Sequence, residues 1–363
     1  MQKPGVKIDV LLNSPGIHDE VRIRRPYEAL QRSGVDCIIH ERPFRLNQCT
    51  RKDSIVVWQR PLPESKEIML EHLEWFMKRN CILLVDLDDH FEQFNVAQRG
   101  KLKQQDYAIL RFSHGVITSN SWLAKEFFGY NPIVFTLDNC IGKSQRSNVI
   151  LNHRPSKGEK IKILIANQNR HKEHLSLIPS LKNWLEEEDN IHLEIINDQA
   201  LKSALPSKRI THHPLLTYLQ YRNLLKTCQI ALSPLEKGKK NRCKTVVKWQ
   251  ECTEEGVVLV AGPELYRVTL NNNVGCWVDN TEDIVTKARR IYTNETERIN
   301  ILKNAQQHIH NYGWECTAQS RWHRWLLEKI WQKQDKLNWL VSKRVKMLKG
   351  MGLNCKGKLS LKK

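Results

Sequence analysis

No apolar run in this sequence approaches the roughly eighteen residues that a bilayer-spanning helix requires. The apolar part of the opening MQKPGVKIDVLL is also short for a secretory signal, so the expectation is a cytoplasmic chain. Cysteine is plentiful, at ten residues, but it lacks order: there is no Cys-x-x-Cys and no paired spacing. That argues against zinc ligands or a disulfide framework and for reduced, mostly buried thiols. The scarce charge is the acidic one, 39 Asp and Glu against 58 Lys and Arg, a formal charge of +19. Such an excess suits a phosphate-bearing ligand, an anionic membrane face or nucleic acid. Nucleic acid is the weakest of the three, because the aromatics are not interleaved with the basic residues and no binding motif is visible. No internal repeat appears either.

What the chain does have is an alternation of short apolar runs and helical stretches, long enough at 363 residues for two domains. Lys7–Leu12, Cys37–His40, Ser54–Trp58, Cys81–Val85, Gly115–Thr118 and Ile133–Thr136 read as strands, with helices over Val21–Arg32, Glu67–Arg79, Leu102–Arg111 and Trp122–Phe128. Ser121 is the expected N-cap of the last of these. Periodicity is lost between Cys140 and Lys160, a stretch of Gly, Lys, Ser, Asn and Pro that suits a linker. It resumes at Ile161–Ala166. Alternation of this kind predicts parallel sheets with helices on both faces, whose ligands sit outside the carboxyl ends of the strands.

Two stretches stand at such ends. Cys81–Val85 runs directly into Asp86-Leu87-Asp88-Asp89-His90, carboxylates that will not all ionise unless cations or a metal are near. Asp-x-Asp suits Mg²⁺ or Mn²⁺, although in a different architecture from the one expected here. The second stretch, Ser233–Pro263, carries Lys237, Lys239, Lys240, Arg242 and Lys244 in a loop, a helix over about Thr245–Glu255 stopped by Gly256, and a strand from Val257. On that helix Thr245, Trp249 and Cys252 suit the sheet side, while Lys244, Lys248, Glu251 and Glu255 form a charged stripe. A solvated face is one reading of the stripe. A grip on a diphosphate and a sugar hydroxyl is the other.

Pro234-Leu235-Glu236, Lys244-Thr245, Lys248, Glu251 and Gly256 resemble the C-terminal half of GT-B fold glycosyltransferases of the family 4 type. The resemblance implies two Rossmann-like domains facing a central cleft, with a last helix crossing back to the first domain. It also implies transfer of a sugar from a nucleotide-sugar to an acceptor hydroxyl with retention, in polysaccharide, lipopolysaccharide or other glycoconjugate synthesis, with no metal or other cofactor. By the same resemblance Glu251 binds the ribose, Lys244 and Lys248 lie near the diphosphate, and Arg170 and Lys172 add charge. Asp88 and Asp89 face the acceptor, a glycan or a lipid-linked molecule. Gly16 and Asn139 match a loop glycine and the last Asn of the first domain. Arg22 and Arg25 either meet an anionic group or are solvated. The chain departs from the family pattern at Cys243, where a Glu contacts the donor sugar, at Asn167, where a Gly is usual, and at the single Gly16. Cys243 and Asn167 keep open a non-catalytic GT-B-like binding protein.

The expected domains are 1–140, a linker 141–160, 161–315, a crossover helix 316–333 opened by Tyr312-Gly313-Trp314, and a basic tail 334–363. From Lys336 on, the tail contains no acid, and Leu337, Leu340, Val341, Val345 and Leu348 recur at helical spacing. Such a stretch can lie on an anionic membrane or fray as a soluble tail.

Overall fold

The computed structural model describes residues 5–13, 16, 19–61, 66–90, 108–139, 160–166, 170–205, 208–271, 273–309 and 317–350. Its strands form two six-stranded sheets in which every pairing is parallel. The chain divides into two compact units. One comprises Met1–Pro15, Arg22–Asp138 and Ser320–Lys363, the other Gly16–Val21 and Asn139–Gln319. Residues 141–159 and 312–314 lie outside the described residues.

In the first unit the sheet runs β2-β1-β3-β4-β5-β6, from β1 (Lys7–Leu12), β2 (Asp36–Glu41), β3 (Ser54–Gln59), β4 (Ile82–Leu87), β5 (Gly115–Thr118) and β6 (Val134–Thr136). β3 and β4 are buried at every position, as strands covered on both faces must be. Its first helices are α1 (Arg25–Arg32), α2 (Lys66–Lys78), α3 (Ala108–Phe112) and α4 (Ser121–Phe128). The single helix expected from Val21 is broken into a π-helical turn, Glu20–Arg24, and α1. Pro26, with no N–H to give the preceding turn, stands where the pattern changes. α4 is capped by Asn120, whose side chain accepts from the Leu123 N–H, not by Ser121. Of the helix expected over Leu102–Arg111, only the part in α3 falls among the described residues.

The second unit orders its strands β12-β11-β10-β7-β8-β9, from β7 (Ile161–Ile165), β8 (Ile191–Ile196), β9 (Ile210–His213), β10 (Ile230–Ser233), β11 (Val258–Ala261) and β12 (Cys276–Trp277). Alternate residues feed two cores. Ile163, Ile165, Leu232 and Val260 enter one, and Leu164, Ala231, Leu259 and Ala261 enter the other. Its helices include α5 (His171–Ser176), α6 (Tyr218–Leu225), α7 (Val247–Glu254) and α8 (Glu295–Ile309). Trp249 and Cys252 of α7 pack into the second core, as the spacing predicted. Just past α7, Gly256 takes φ +76°, a conformation that favours glycine, and the chain turns into β11. Strand order reverses between β7 and β10, and in the first sheet between β1 and β3, so ligand crevices are expected at those carboxyl ends.

The chain then returns to the first unit through α9 (Thr317–Trp331) and α10 (Gln334–Gly350). The His323 ring meets Tyr27 edge-on at 4.9 Å. On α10, Leu337, Val341 and Val345 are buried, and the helix packs against α2, α3 and β4. His114 Nδ1 accepts from the Leu83 N–H, so its Nε2–H donates to Asn338 Oδ1 at 2.8 Å. Arg344 donates to the carbonyls of Arg111 and Ser113 at 3.0 Å. The apolar stripe expected to face a membrane or to fray is therefore turned into the protein. Helical periodicity locates an apolar face without saying what covers it. Among the described residues no helix is long and apolar enough to cross a membrane.

Candidate functional site

In the second unit, β10 ends at Ser233 and the chain enters the basic loop. A short helical turn, Lys239–Arg242, lies inside it, and Asn241 Nδ2 closes the loop onto the Glu236 carbonyl at 2.8 Å. Arg242 is tied to Glu264 at 2.5 Å. Gly262 lies so close to the backbone of Leu235 that a Cβ there would overlap it, which explains a glycine directly after β11.

The charged stripe on α7 splits in two. At its far end Glu255 and Glu254 accept from Arg222 of α6, at 3.0 Å and 2.5 Å, in a buried cluster that joins the two helices. At its near end Lys248 Nζ donates to the Ala166 carbonyl, just past β7, at 3.3 Å and to Tyr221 Oη at 3.2 Å. The same ammonium rests on the Tyr221 ring, 4.5 Å from its centroid. Tyr221 Oη in turn donates to Glu251 Oε2 at 3.1 Å. Burial, with Glu251 beside it, pushes the phenol well above its ordinary pKa, so it stays a donor. Glu251 is only 5% exposed, which rules out the solvated-face reading for this residue. A cation, a phenol and a carboxylate are thus held in one line that reaches the carboxyl end of β7, a strand at the reversal of strand order.

The other residues named from the sequence are placed variously. Lys244 is half-buried, and Lys172, on α5, is exposed. Arg170 precedes α5, is buried, and pairs with Glu173 at 2.8 Å. It lies within electrostatic reach of Tyr266, whose hydroxyl is hydrogen-bonded to Ser233 and whose pKa burial raises. Cys243 is buried and in no disulfide. Asn139 is buried and Gly16 is exposed. Asn167 lies outside the described residues.

In the first unit the carboxylates at the end of β4 are met by two arginines. Arg22, from the π-helical turn, grips Asp86 with two bonds of 2.8 and 2.9 Å and also donates to the Leu137 carbonyl. Burial works against both charges and lifts the Asp86 carboxyl above its ordinary range. For Arg22 the burial penalty is outweighed by Asp86 and then Asp88, which hold its pKa high, and the two-bond geometry decides for an ionised pair. Arg22 is therefore neither solvated nor turned to an outside anion. Arg25 is half-buried at the start of α1.

Asp88 and Asp89 pair with Arg60 at 2.7 and 3.3 Å. Arg60 follows β3 in a left-handed conformation, φ +47°, its N–H donating to the Asp86 carbonyl and its own carbonyl accepting from Asn13 Nδ2. Asp88 is further fixed by Ser119 Oγ on its carbonyl at 3.1 Å. His90 stands 3.9 Å from Glu126. The cations that this cluster demanded are Arg22 and Arg60, and among the described residues no three or more His, Cys, Asp or Glu side chains are grouped so as to hold a metal. Arg60 and Tyr221 were not picked out by motif. Their signal was position: one at the end of a buried strand, the other a buried tyrosine on the helix before the basic loop.

No family model matches this chain, and no curated protein is similar to it. Solved structures are. A glycosyltransferase from Rickettsia africae superposes with a TM-score of 0.59 at 12% identity, over 90% of this chain and 99% of that one. HepE from Anabaena, solved with UDP and glucose, gives 0.60 at 12%, over 89% and 100%. An α-glucosyltransferase solved with UDP and a 13-mer DNA gives 0.60 at 10%, over 85% and 96%. The fold is GT-B. These relatives are glycosyltransferases, and at such identities the likeness is one of architecture.

Proposed function

We propose that this chain is a glycosyltransferase of the family 4 type that moves a sugar, with retention, from a nucleotide-sugar to an acceptor hydroxyl. The observation that carries the reading is the Lys248–Tyr221–Glu251 line at the reversal of strand order. Lys248, with Lys244, Arg170 and Lys172, supplies positive charge to a diphosphate, and Glu251 accepts from a ribose hydroxyl. As the glycosidic bond breaks, the leaving diphosphate gains charge, and fixed cations stabilise that state more than the ground state. Asp88 and Asp89, positioned by Arg60, face the acceptor, a glycan or lipid-linked molecule of glycoconjugate synthesis. Uridine diphosphate is the first nucleotide to try, since HepE and the α-glucosyltransferase were solved with it. No resident metal takes part in the scheme, and chelation with EDTA should leave turnover intact.

Titration with uridine diphosphate and an assay of donor hydrolysis, in wild type and Glu251→Ala, test the proposal. Saturable binding lost with Glu251, together with release that falls, supports it. Equal, near-zero release from both supports the second reading, a GT-B-like binding protein without turnover. That reading is favoured by Cys243, a buried thiol where the family pattern has a sugar-binding Glu.

A further inference from the structure

With Leu337, Val341 and Val345 turned inward, the outward faces of α9 and α10 carry an unusual set of residues. Trp322 and Trp325 on α9 are 50% and 47% exposed, and Trp339 and Met347 on α10 are 53% and 59% exposed. Each helix repeats one arrangement. Trp322, Trp325 and Lys329 fall at i, i+3 and i+7 on α9, opposite His323, Leu327 and Ile330, which are buried. Trp339, Lys343 and Met347 fall at i, i+4 and i+8 on α10, away from the buried stripe. Between residues 320 and 350 there are nine Lys and Arg against two acids. Burying these rings would remove large apolar area from water, and among the described residues nothing does so.

We infer that these tryptophan–lysine faces of α9 and α10 dock the chain on an anionic lipid bilayer. Tryptophan settles at headgroup depth because its ring is apolar and its N–H polar, and lysines beside it meet the lipid phosphates. The cations disfavour a second copy of the same face. Nucleic acid is disfavoured by ring geometry, since base stacking needs open aromatic faces. Here Trp322 and Trp325 stack on each other, centroids 4.9 Å apart at 21°, and the Lys343 ammonium covers the Trp339 ring at 3.9 Å. The inference goes beyond the transferase reading and does not depend on it.

Co-sedimentation of the full chain with vesicles of phosphatidylcholine, alone or with equimolar phosphatidylglycerol, tests it. The chain should pellet with the anionic vesicles only and be released by salt. Trp322→Ala with Trp325→Ala, and separately Trp339→Ala, should each weaken that binding by about tenfold, at an unchanged thermal midpoint. Absence of pelleting overturns the inference, as does pelleting that the tryptophan variants leave intact, or that vanishes only on deletion of residues 351–363. Tighter, tryptophan-dependent binding to an oligonucleotide at the same salt would also overturn it. Uridine diphosphate titration of the same variants keeps the outcome separate from the donor site, because these residues take no part there.

Discussion

The ammonium of Lys248 lies over the face of the Tyr221 ring, 4.5 Å from its centroid. The ring supports the cation from below, while the phenol oxygen passes a hydrogen bond on to Glu251. The two contacts are separable. In Tyr221→Phe the ring remains under Lys248, while the hydroxyl's bonds to the carboxylate and to the Lys248 ammonium both go. Uridine diphosphate affinity is expected to fall about tenfold, with a stability loss of about 1–3 kcal/mol for the buried carboxylate left short of a donor. Calorimetric titration and urea melts read the two effects independently.

Arg60 addresses Asp88 and Asp89 together because a guanidinium presents several donors in a fixed plane. Lysine offers a point charge on a flexible stem. Arg60→Lys is expected to raise KM for the acceptor severalfold, with KM for the donor unchanged, which steady-state kinetics with each substrate varied in turn will show.

Gly262→Ala places a methyl group against the main chain of Leu235, which cannot swing aside as a side-chain tip would. The expected cost is about 3 kcal/mol. Because Leu235 lies at the root of the basic loop, nucleotide affinity should fall as well. Substitution at exposed Gly5, with open space around it, is the control and should be neutral by both measures.

Acid should loosen the first unit. Burial holds His114 down to about 4 and His323 down to about 3, against an ordinary 6.5. Both rings are neutral in the folded state and gain a proton on unfolding. Stability from each is thus complete above about pH 6.5 and drains away as pH falls toward the folded value. For His114 the loss amounts to about 3 kcal/mol by pH 4. Urea midpoints followed from pH 7 to pH 4 should drop accordingly, and His114→Gln should flatten part of that slope.

The strands were readable in advance because parallel strands covered on both faces must be continuous apolar runs, as Ser54–Trp58 and Cys81–Val85 are. The position of Lys248 and Glu251 on one helix was readable from spacing alone. Their link through Tyr221 was not, since that tyrosine lies 30 residues from Glu251 and is brought in by the packing of α6. The fate of Arg22 was hidden for the same reason: its partner Asp86 is 64 residues away. Helical spacing marked one face of α10 as apolar, yet a bilayer and a protein core ask for the same pattern. The contacts of Asn338 with His114 and of Arg344 with the Arg111 and Ser113 carbonyls decide for the core.

That last packing has an outcome for the order of assembly. Val341 and Val345 emerge from the ribosome only after the entire second unit has been made, yet they fill the hydrophobic interior of the first. During synthesis the first unit therefore waits, with the surface of α2 and α3 uncovered, for α10 to arrive.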